Sequence, residues 1–348
     1  MARFFISTIT VFFVFALCED SIAALPPDFN FSGLAFEFEN RFYTTEANFN
    51  ADGEEVDLPA GYSYQEFAER ANVKFSPQES LAFNLGFGLS YAKSEDPADE
   101  RTRADFTDLN GAVQKEFQFG GLSIAPELYA QFSFIKNDLS GDEVEPFDDA
   151  NSYRIGSWVS YSLGTFGAHG FIAYQFRDNG YSSLLPWVLG ADLTFSKVKI
   201  FAQGFGFESI TDDDDTDTTR ALSRGSHNFQ VNGGTLKYNS VNPNLISARV
   251  GGLFQLTHSL QFFADYTMDI DGESTARGQS IGIGLNWNAI SKGAIGKGAG
   301  TGAANSKKAG QKSKKKKSKT KTNSPSKEDF THTLEEDYDE TLYEDDEE

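Results

Sequence analysis

The sequence predicts an all-β protein, a transmembrane up-and-down antiparallel β-barrel of about 12 strands, followed by a disordered, charged C-terminal tail. Three observations predict it. Apolar residues recur at every second position in segment after segment, a period that gathers them on one face of a strand and would scatter them around a helix. Each segment is about 9 to 11 residues long, the length that a tilted strand needs to cross a bilayer. Long acidic loops alternate strictly with short turns, the connectivity of a membrane barrel with an even strand number and both termini on one side.

The composition agrees. The chain has 348 residues and an aromatic content of 14%, including 33 Phe and 13 Tyr, yet its mean hydropathy is only -0.41. Many aromatics in a chain that is polar on average indicate surfaces that alternate rather than segregate into a core. A single Cys excludes a disulfide framework, and no Cys/His cluster has zinc spacing, so no cofactor or metal is expected. The competing fold, a soluble β-sandwich with one buried face, fits poorly, because charge is nearly absent from the centres of so many apolar faces.

At the N-terminus a basic start at Arg3, an apolar run over 4–17 and small residues at Ser21, Ala23 and Ala24 make a secretory signal peptide, residues 1–23, cleaved after Ala23. The apolar run is shorter than the ~20 residues of a spanning helix. Leu17-Cys18 resembles a lipoprotein box in a poor form, with a bulky Leu where a small residue belongs, and Cys18 is expected to leave with the signal.

The barrel is expected over 24–290. In order, Leu34, Phe36, Phe38 and Phe42 form the first apolar face, ending where Thr44 begins an acidic loop. Phe67, Ala71, Val73 and Phe75 oppose Arg70, Asn72 and Lys74 in the second strand. The third has the cleanest pattern, Leu81, Phe83, Leu85, Phe87, Leu89 and Tyr91 against Ala82, Asn84, Gly86, Gly88 and Ser90. In the fourth, Leu109, Val113, Phe117 and Phe119 lie outside and Asn110, Gln114, Glu116 and Gln118 inside, before a tight hairpin at Gly120-Gly121. The fifth sets Leu122, Ile124, Leu128 and Phe132 against Glu127, Tyr129 and Gln131, with a bulge expected at Pro126, which lacks a ladder donor.

The sixth opposes Ile155, Val159 and Tyr161 to Arg154, Trp158 and Ser160. The seventh opposes Ile172, Tyr174 and Phe176 to His169, Gln175 and Arg177, and the eighth Trp187, Leu189, Ala191 and Leu193 to Asp192 and Thr194. The ninth, 198–207, does not declare its outer face, because Val198 and Ile200 compete with Phe201, Phe205 and Phe207. After a long polar loop over 208–244, Ile246, Ala248, Val250 and Phe254 oppose Ser247 and Arg249, and Phe262, Ala264, Tyr266 and Met268 oppose Asp265 and Asp269. Aromatics near strand ends, among them Tyr43, Tyr91, Tyr153, Phe75, Phe195 and Trp287, suit interfacial girdles.

This alternation assigns a pore lining of Arg70, Lys74, Arg154, Arg177 and Arg249 with Glu116, Glu127, Asp192, Asp265 and Asp269. Facing charges of opposite sign can line a narrow pore or pair and plug it. Trp158, Phe171, Phe263 and Tyr129 meeting across the lumen would occlude it. Asp212 to Asp215 with Asp217 read as a solvated acidic loop, since neither the Gly nor the final Glu of a calcium loop is present, and Arg224 stands at the twelfth position from Asp213. Catalysis is not expected: His169 faces Ser160 and Ser162, but no hydrolase motif accompanies them.

From Ser291 the composition changes to Gly/Ala/Ser, then lysines including Lys314 to Lys317, then an acidic end. Residues 291–348 therefore read as a disordered Lys-rich and then acidic tail. Its charges roughly cancel, so the barrel carries most of the formal net charge of -21. Behind a signal peptide, the basic run does not imply nucleic acid.

The last strand, 280–287, alternates Ile281, Ile283, Leu285 and Trp287 with Gly282, Gly284 and Asn286. The order polar, any, Gly, any, any, apolar, any, aromatic, carried by Ser280, Gly282, Leu285 and Trp287, resembles the closing-strand signal of bacterial outer-membrane β-barrels. Together with the topology over about 29–290, it makes the chain resemble the porin-like family of these barrels. The resemblance implies the bacterial outer membrane with the tail in the periplasm, and as partners outer-membrane lipid, the barrel-assembly machinery, and small polar solutes or ions. It implies passive diffusion through the lumen and leaves a homo-oligomer open. The alternative is a non-conducting structural or interaction barrel acting through its loops, lipid-facing wall or tail.

Overall fold

The computed structural model describes residues 33–78, 80–136 and 138–291. The expected signal peptide and charged tail lie outside the described residues. Within them the chain forms β1 (Gly33–Phe49), β2 (Glu55–Asp57), β3 (Ser63–Gln78), β4 (Leu81–Glu95), β5 (Glu100–Lys115), β6 (Phe117–Phe119) and β7 (Leu122–Ser133). It continues with β8 (Ser152–Leu163), β9 (Phe166–Arg177), β10 (Leu184–Phe195), β11 (Val198–Ser209), helix α1 (Thr219–Gln230), β12 (Asn244–Gln255), β13 (Leu260–Glu273) and β14 (Thr275–Ser291).

All strand pairs are antiparallel and each wall strand pairs with its neighbours in sequence, until β14 returns to β1 from Gly33↔Ser291 to Phe49↔Thr275. Because β2 only pairs with the end of β1 beyond the stretch held by β3, and β6 continues the line of β5 along β7, the wall is a closed barrel of 12 strands. Closure satisfies the backbone N–H and C=O groups of what would otherwise be two open edges. Wall strands of 12 residues, at a rise of about 3.3 Å and a tilt of about 40°, cover about 30 Å, the thickness of a bilayer's hydrocarbon core. No helix among the described residues is long and apolar enough to cross a membrane.

The alternation sorts side chains as the period of two requires. Leu189 (69% exposed), Ile155 (60%) and Leu128 (60%) point outward with the other apolar residues of their strands, while Arg70, Arg154 and Arg249 are buried inside. An exposed apolar band of this extent is a lipid-covered surface. Aromatics such as Tyr91, Tyr153, Phe75, Phe195 and Trp287 lie on it. Tyr43 does not: it is 7% exposed and turned inward, because a strand reaching to Phe49 places Tyr43 on the parity of Arg41 and Glu39.

Two further expectations are corrected. The loops do not alternate strictly, since Ser274 alone joins β13 to β14 in a left-handed turn (φ 48°) and four residues join β4 to β5. No bulge accompanies Pro126. The ladder pauses opposite Lys115 and Glu116 and resumes in the same register, Gln114↔Glu127 before the gap and Phe117↔Ile124 after it, while Glu116 N donates to Ser80 O at 2.8 Å. A bulge lies instead on β5, between Phe87/Leu89 and their partners Leu109/Phe106, where Thr107 and Asp108, both fully buried, together oppose the single Gly88. β11 is now oriented: Ile200 faces out at 54% exposure, and Phe201 (3%) and Phe205 (8%) face in. Phe205 packs with Trp158, Phe171, Ala173 and Val188, and the Phe201 ring lies 5.5 Å from the Arg249 guanidinium, so each phenylalanine has a partner on the inner face.

Away from the strand ends, Glu69 is the one charged outward-facing side chain among the described residues. It sits between Asn40 and Leu89, is 4% exposed, and its Oε1 has no hydrogen-bond partner. An unpaired carboxyl on a lipid-facing wall is costly. Glu69→Leu should therefore raise the unfolding free energy of the bilayer-inserted barrel by about 1–2 kcal/mol, measured by urea titration in liposomes. A loss of stability would show that Glu69 holds a partner.

Candidate functional site: the lumen and its plug

The turns at Gly120-Gly121, Gly164-Thr165, Ser196-Lys197 and 256–259 share one end of the barrel with the start of β1 and the end of β14, and the loops 134–151 and 210–243 lie at the other. A cavity of about 790 Å³ opens at the turn end, where Gly120, Gly121, Gly164, Thr165, Ser196 and Lys197 border it. It runs inward to a layer containing Arg41, Arg70, Arg154 and Arg249.

That layer is built from ion pairs reaching between strands. Asp265 on β13 accepts from Arg41 Nη1 at 3.0 Å and from Arg249 Nη2 at 2.6 Å, and Arg41 Nη2 also binds Glu39 Oε1 at 2.7 Å. Gly282 lies beneath this group. A Cβ there would come within 2.7 Å of both Arg41 Nη2 and Asp265 Oδ2, so the glycine of the closing strand is what admits the pair. On the other side Arg154 donates to Glu127 Oε1 from Nη2 at 2.8 Å and Nε at 3.2 Å, while Gln114 donates to Glu127 Oε2 at 2.6 Å. The Arg154 guanidinium lies 4.3 Å from the Tyr129 ring centre and 5.2 Å from that of Phe171. Arg70 reaches Asp108 of the bulge at 3.3 Å. Nearer the turns, Lys199 pairs with Asp192 at 3.4 Å.

Of the ten residues expected to line a pore, Arg70, Lys74, Glu116, Glu127, Arg154, Asp192 and Arg249 border the cavity. Asp265 lies directly behind Arg41 and Arg249. Arg177 and Asp269 face inward but belong to the packing at the loop end. Arg177 donates to Ser182 O and Oγ, each at 2.8 Å, and Asp269 accepts from Ser247 Oγ at 2.7 Å and from Gly278 N at 3.0 Å. The aromatic residues form no crossbar: Trp158 and Phe171 pack 4.8 Å apart on neighbouring strands, and Phe263 lies over Gly284 on β14. His169 Nε2 is engaged by Gln203 at 2.9 Å, and its Nδ1 is 3.8 Å from Asp192.

The loop end is closed by an element that the alternation did not announce. Residues 210–243 carry α1, capped by Thr218 Oγ1 accepting from Ala221 N at 3.3 Å, and then pass across the barrel mouth. Arg224 of α1 collects Asp213 at 3.0 Å, Asp215 at 3.1 Å and the carbonyls of Asn239 and Ser240, so these acidic side chains serve an arginine. Beyond the helix, Ser94 Oγ donates to Val231 O at 2.5 Å, Thr45 Oγ1 bonds Thr235 Oγ1 at 2.8 Å, and Asn48 Nδ2 donates to Gly234 O at 2.7 Å. Lys237 Nζ lies 3.0 Å from Glu66 and 3.6 Å from the centre of the Tyr43 ring. Tyr238 OH donates to the same Glu66 carboxylate at 2.8 Å, which also accepts from Ser90 Oγ at 2.6 Å. Tyr64, Ala92, Val144 and Phe147 fill the space around Tyr43 and Tyr238. The cavity is therefore blind at the loop end.

The second loop, 134–151, is tied to this plug through Asn232, which accepts from Glu145 N at 2.9 Å, and through His227 Nε2, 3.4 Å from Glu145 Oε1. Burial, reinforced by Asp148 and Asp149, pushes the Glu145 carboxyl up to about 8. Burial also holds the His227 imidazole below its ordinary 6.5. The contribution of Glu145 to loop packing is thus complete below its ordinary 4.5 and is lost as pH rises through about 8. His227 acts in the opposite sense, its contribution being present above 6.5 and lost as acid charges the ring. Tryptic cleavage after the half-exposed Arg220 should therefore accelerate between neutral pH and about pH 9 in the native protein relative to Glu145→Gln. Equal acceleration in both would exclude Glu145 as the cause.

No family model and no curated protein sequence matches this chain. Solved structures do. An outer membrane channel from Pseudomonas putida F1 superposes with a TM-score of 0.56 at 10% identity, covering 78% of this chain and 99% of that one. The NanC porin gives 0.42 at 8% identity, covering 73% and 99%, and the translocator domain of the autotransporter NalP from Neisseria meningitidis gives 0.39 at 10%, covering 74% and 88%. The chain has the fold of a bacterial outer-membrane β-barrel.

Proposed function

We propose that this protein is a porin-like channel of the bacterial outer membrane, passing small polar solutes or ions by passive diffusion, with the turn end and the charged tail in the periplasm. The observation that carries this reading is a cavity of about 790 Å³, bordered by charged and amide side chains, inside a wall whose outer face is apolar. The likeness to an outer membrane channel supports it. Diffusion across the membrane requires residues 210–243 to leave the loop-end mouth, so the described arrangement is the shut one. On this reading outer-membrane lipid surrounds the wall, the barrel-assembly machinery inserts it, and Arg70, Lys74, Glu116, Glu127, Arg154, Asp192, Arg249 and Asp265 border the solute path. The closing strand that carries Ser280, Gly282, Leu285 and Trp287 is the segment offered to that machinery.

A second reading, a non-conducting barrel that works through its loops, draws on the same plug, which is fastened by buried hydrogen bonds to β1, β3 and β4. Planar-bilayer recording of the mature chain separates the two. The channel reading expects discrete openings, with ion preference shifting towards anions in Asp265→Asn and towards cations in Arg154→Gln. Silence from a barrel whose folding is verified by heat-modifiable gel mobility overturns it and leaves the second reading.

A further inference from the structure

The lumen carries many charges but no net charge, and we infer from this, resting on the channel reading, that it takes uncharged polyhydroxylated solutes, sugars by chemical class, in preference to ions. Seven lysines and arginines border the cavity together with five carboxylates. Two further carboxylates, Asp108 and Asp265, lie just behind the lining, each bound to an arginine that belongs to it. The two signs therefore balance, and the formal -21 of the chain resides elsewhere. Paired charges present short-range dipoles to the lumen rather than a field of one sign, and without such a field neither ion is concentrated. The carboxylates at the inner layer are also already engaged: Asp265 is bracketed by two guanidiniums, and both oxygens of Glu127 accept hydrogen bonds.

The remainder of the lining suits hydroxyl groups. Asn72, Asn84, Asn110 and Gln114 form a contiguous amide patch on β3, β4 and β5, and Gly86 leaves the space between them, since a Cβ there would collide with the amides of Asn72 and Asn110. A carboxamide both donates and accepts, as a sugar hydroxyl does, and matches it without charge. Tyr129 and Trp158 also border the cavity, but the Arg154 guanidinium covers the one ring and Phe171 packs on the other, so recognition falls to the amides and Trp158 serves as a reporter at the cavity wall. The volume falls within the range of about 300–1,000 Å³ typical of small-molecule sites.

Two measurements on the full mature chain test the inference. In one, the reversal potential is read in a KCl gradient; in the other, sucrose or potassium gluconate is titrated against Trp158 fluorescence, with the outward-facing Trp187 and Trp287 changed to Phe. The expected results are a cation-to-anion permeability ratio within about twofold of unity and a saturable response to sucrose that exceeds that to gluconate. Asn72→Ala with Asn110→Ala should weaken the sucrose response by about tenfold. A strong preference for either ion, or no Trp158 response to sucrose, overturns the sugar assignment while leaving a conducting barrel intact. A silent barrel that still binds sucrose overturns the channel reading and retains the ligand class.

Discussion

Every feature of this molecule depends on the pairing of β1 with β14. An apolar medium supplies no hydrogen bonds, so a 12-strand sheet with two open edges would leave a column of backbone donors and acceptors unsatisfied along each edge. The pairing from Gly33↔Ser291 to Phe49↔Thr275 removes both columns. It also brings together residues far apart in the chain: Arg41 meets Asp265 and Ser280 only because the first strand lies beside the last. The glycines of β14 make this contact sterically feasible, Gly282 under the ion pair and Gly284 under Phe263.

Closure by itself makes a tube, and the loops make its two ends unequal. At the turn end the connections are too short to fold inward and the cavity stays open. At the loop end, residues 210–243 supply enough chain for a helix and a crossing segment, and the inner faces of β1, β3 and β4 present Thr45, Asn48, Glu66 and Ser94 to hold it. Most of these contacts are hydrogen bonds between neutral groups, with Lys237 and Glu66 as the charged exception. These hydrogen bonds form when the segment is seated, and water can satisfy the same groups when it lifts, which is the property a reversible closure needs.

The wall was legible in the sequence because it obeys a local rule. Parity alone sorted Leu85, Ile155 and Leu189 outward and Arg70, Arg154 and Arg249 inward. Where parity was ambiguous, as in β11, the decision came from Trp158, Phe171 and Val188 on other strands, and no local pattern contains that information. Tyr43 was misread because its strand continues past the apparent loop start at Thr44. The plug was illegible for a related reason: Tyr238 and Glu66 are 172 residues apart, and their contact exists only once the barrel has closed. A trace of α1 was present, since Thr218 followed by a run without Pro marks a capped helix start. The pairing of lumenal charges was equally hidden, because parity places a side chain inside without naming its partner.

The plug as a gate is the central claim, and one disulfide tests it most directly. The hydroxyls of Thr45 and Thr235 lie 2.8 Å apart, and the chain's single cysteine, Cys18, falls in the segment expected to be removed with the signal. Thr45→Cys with Thr235→Cys should form a bond on oxidation that silences the folded barrel in planar bilayers, with openings restored by reduction. An oxidised, cross-linked barrel that conducts as freely as the reduced one would contradict the account.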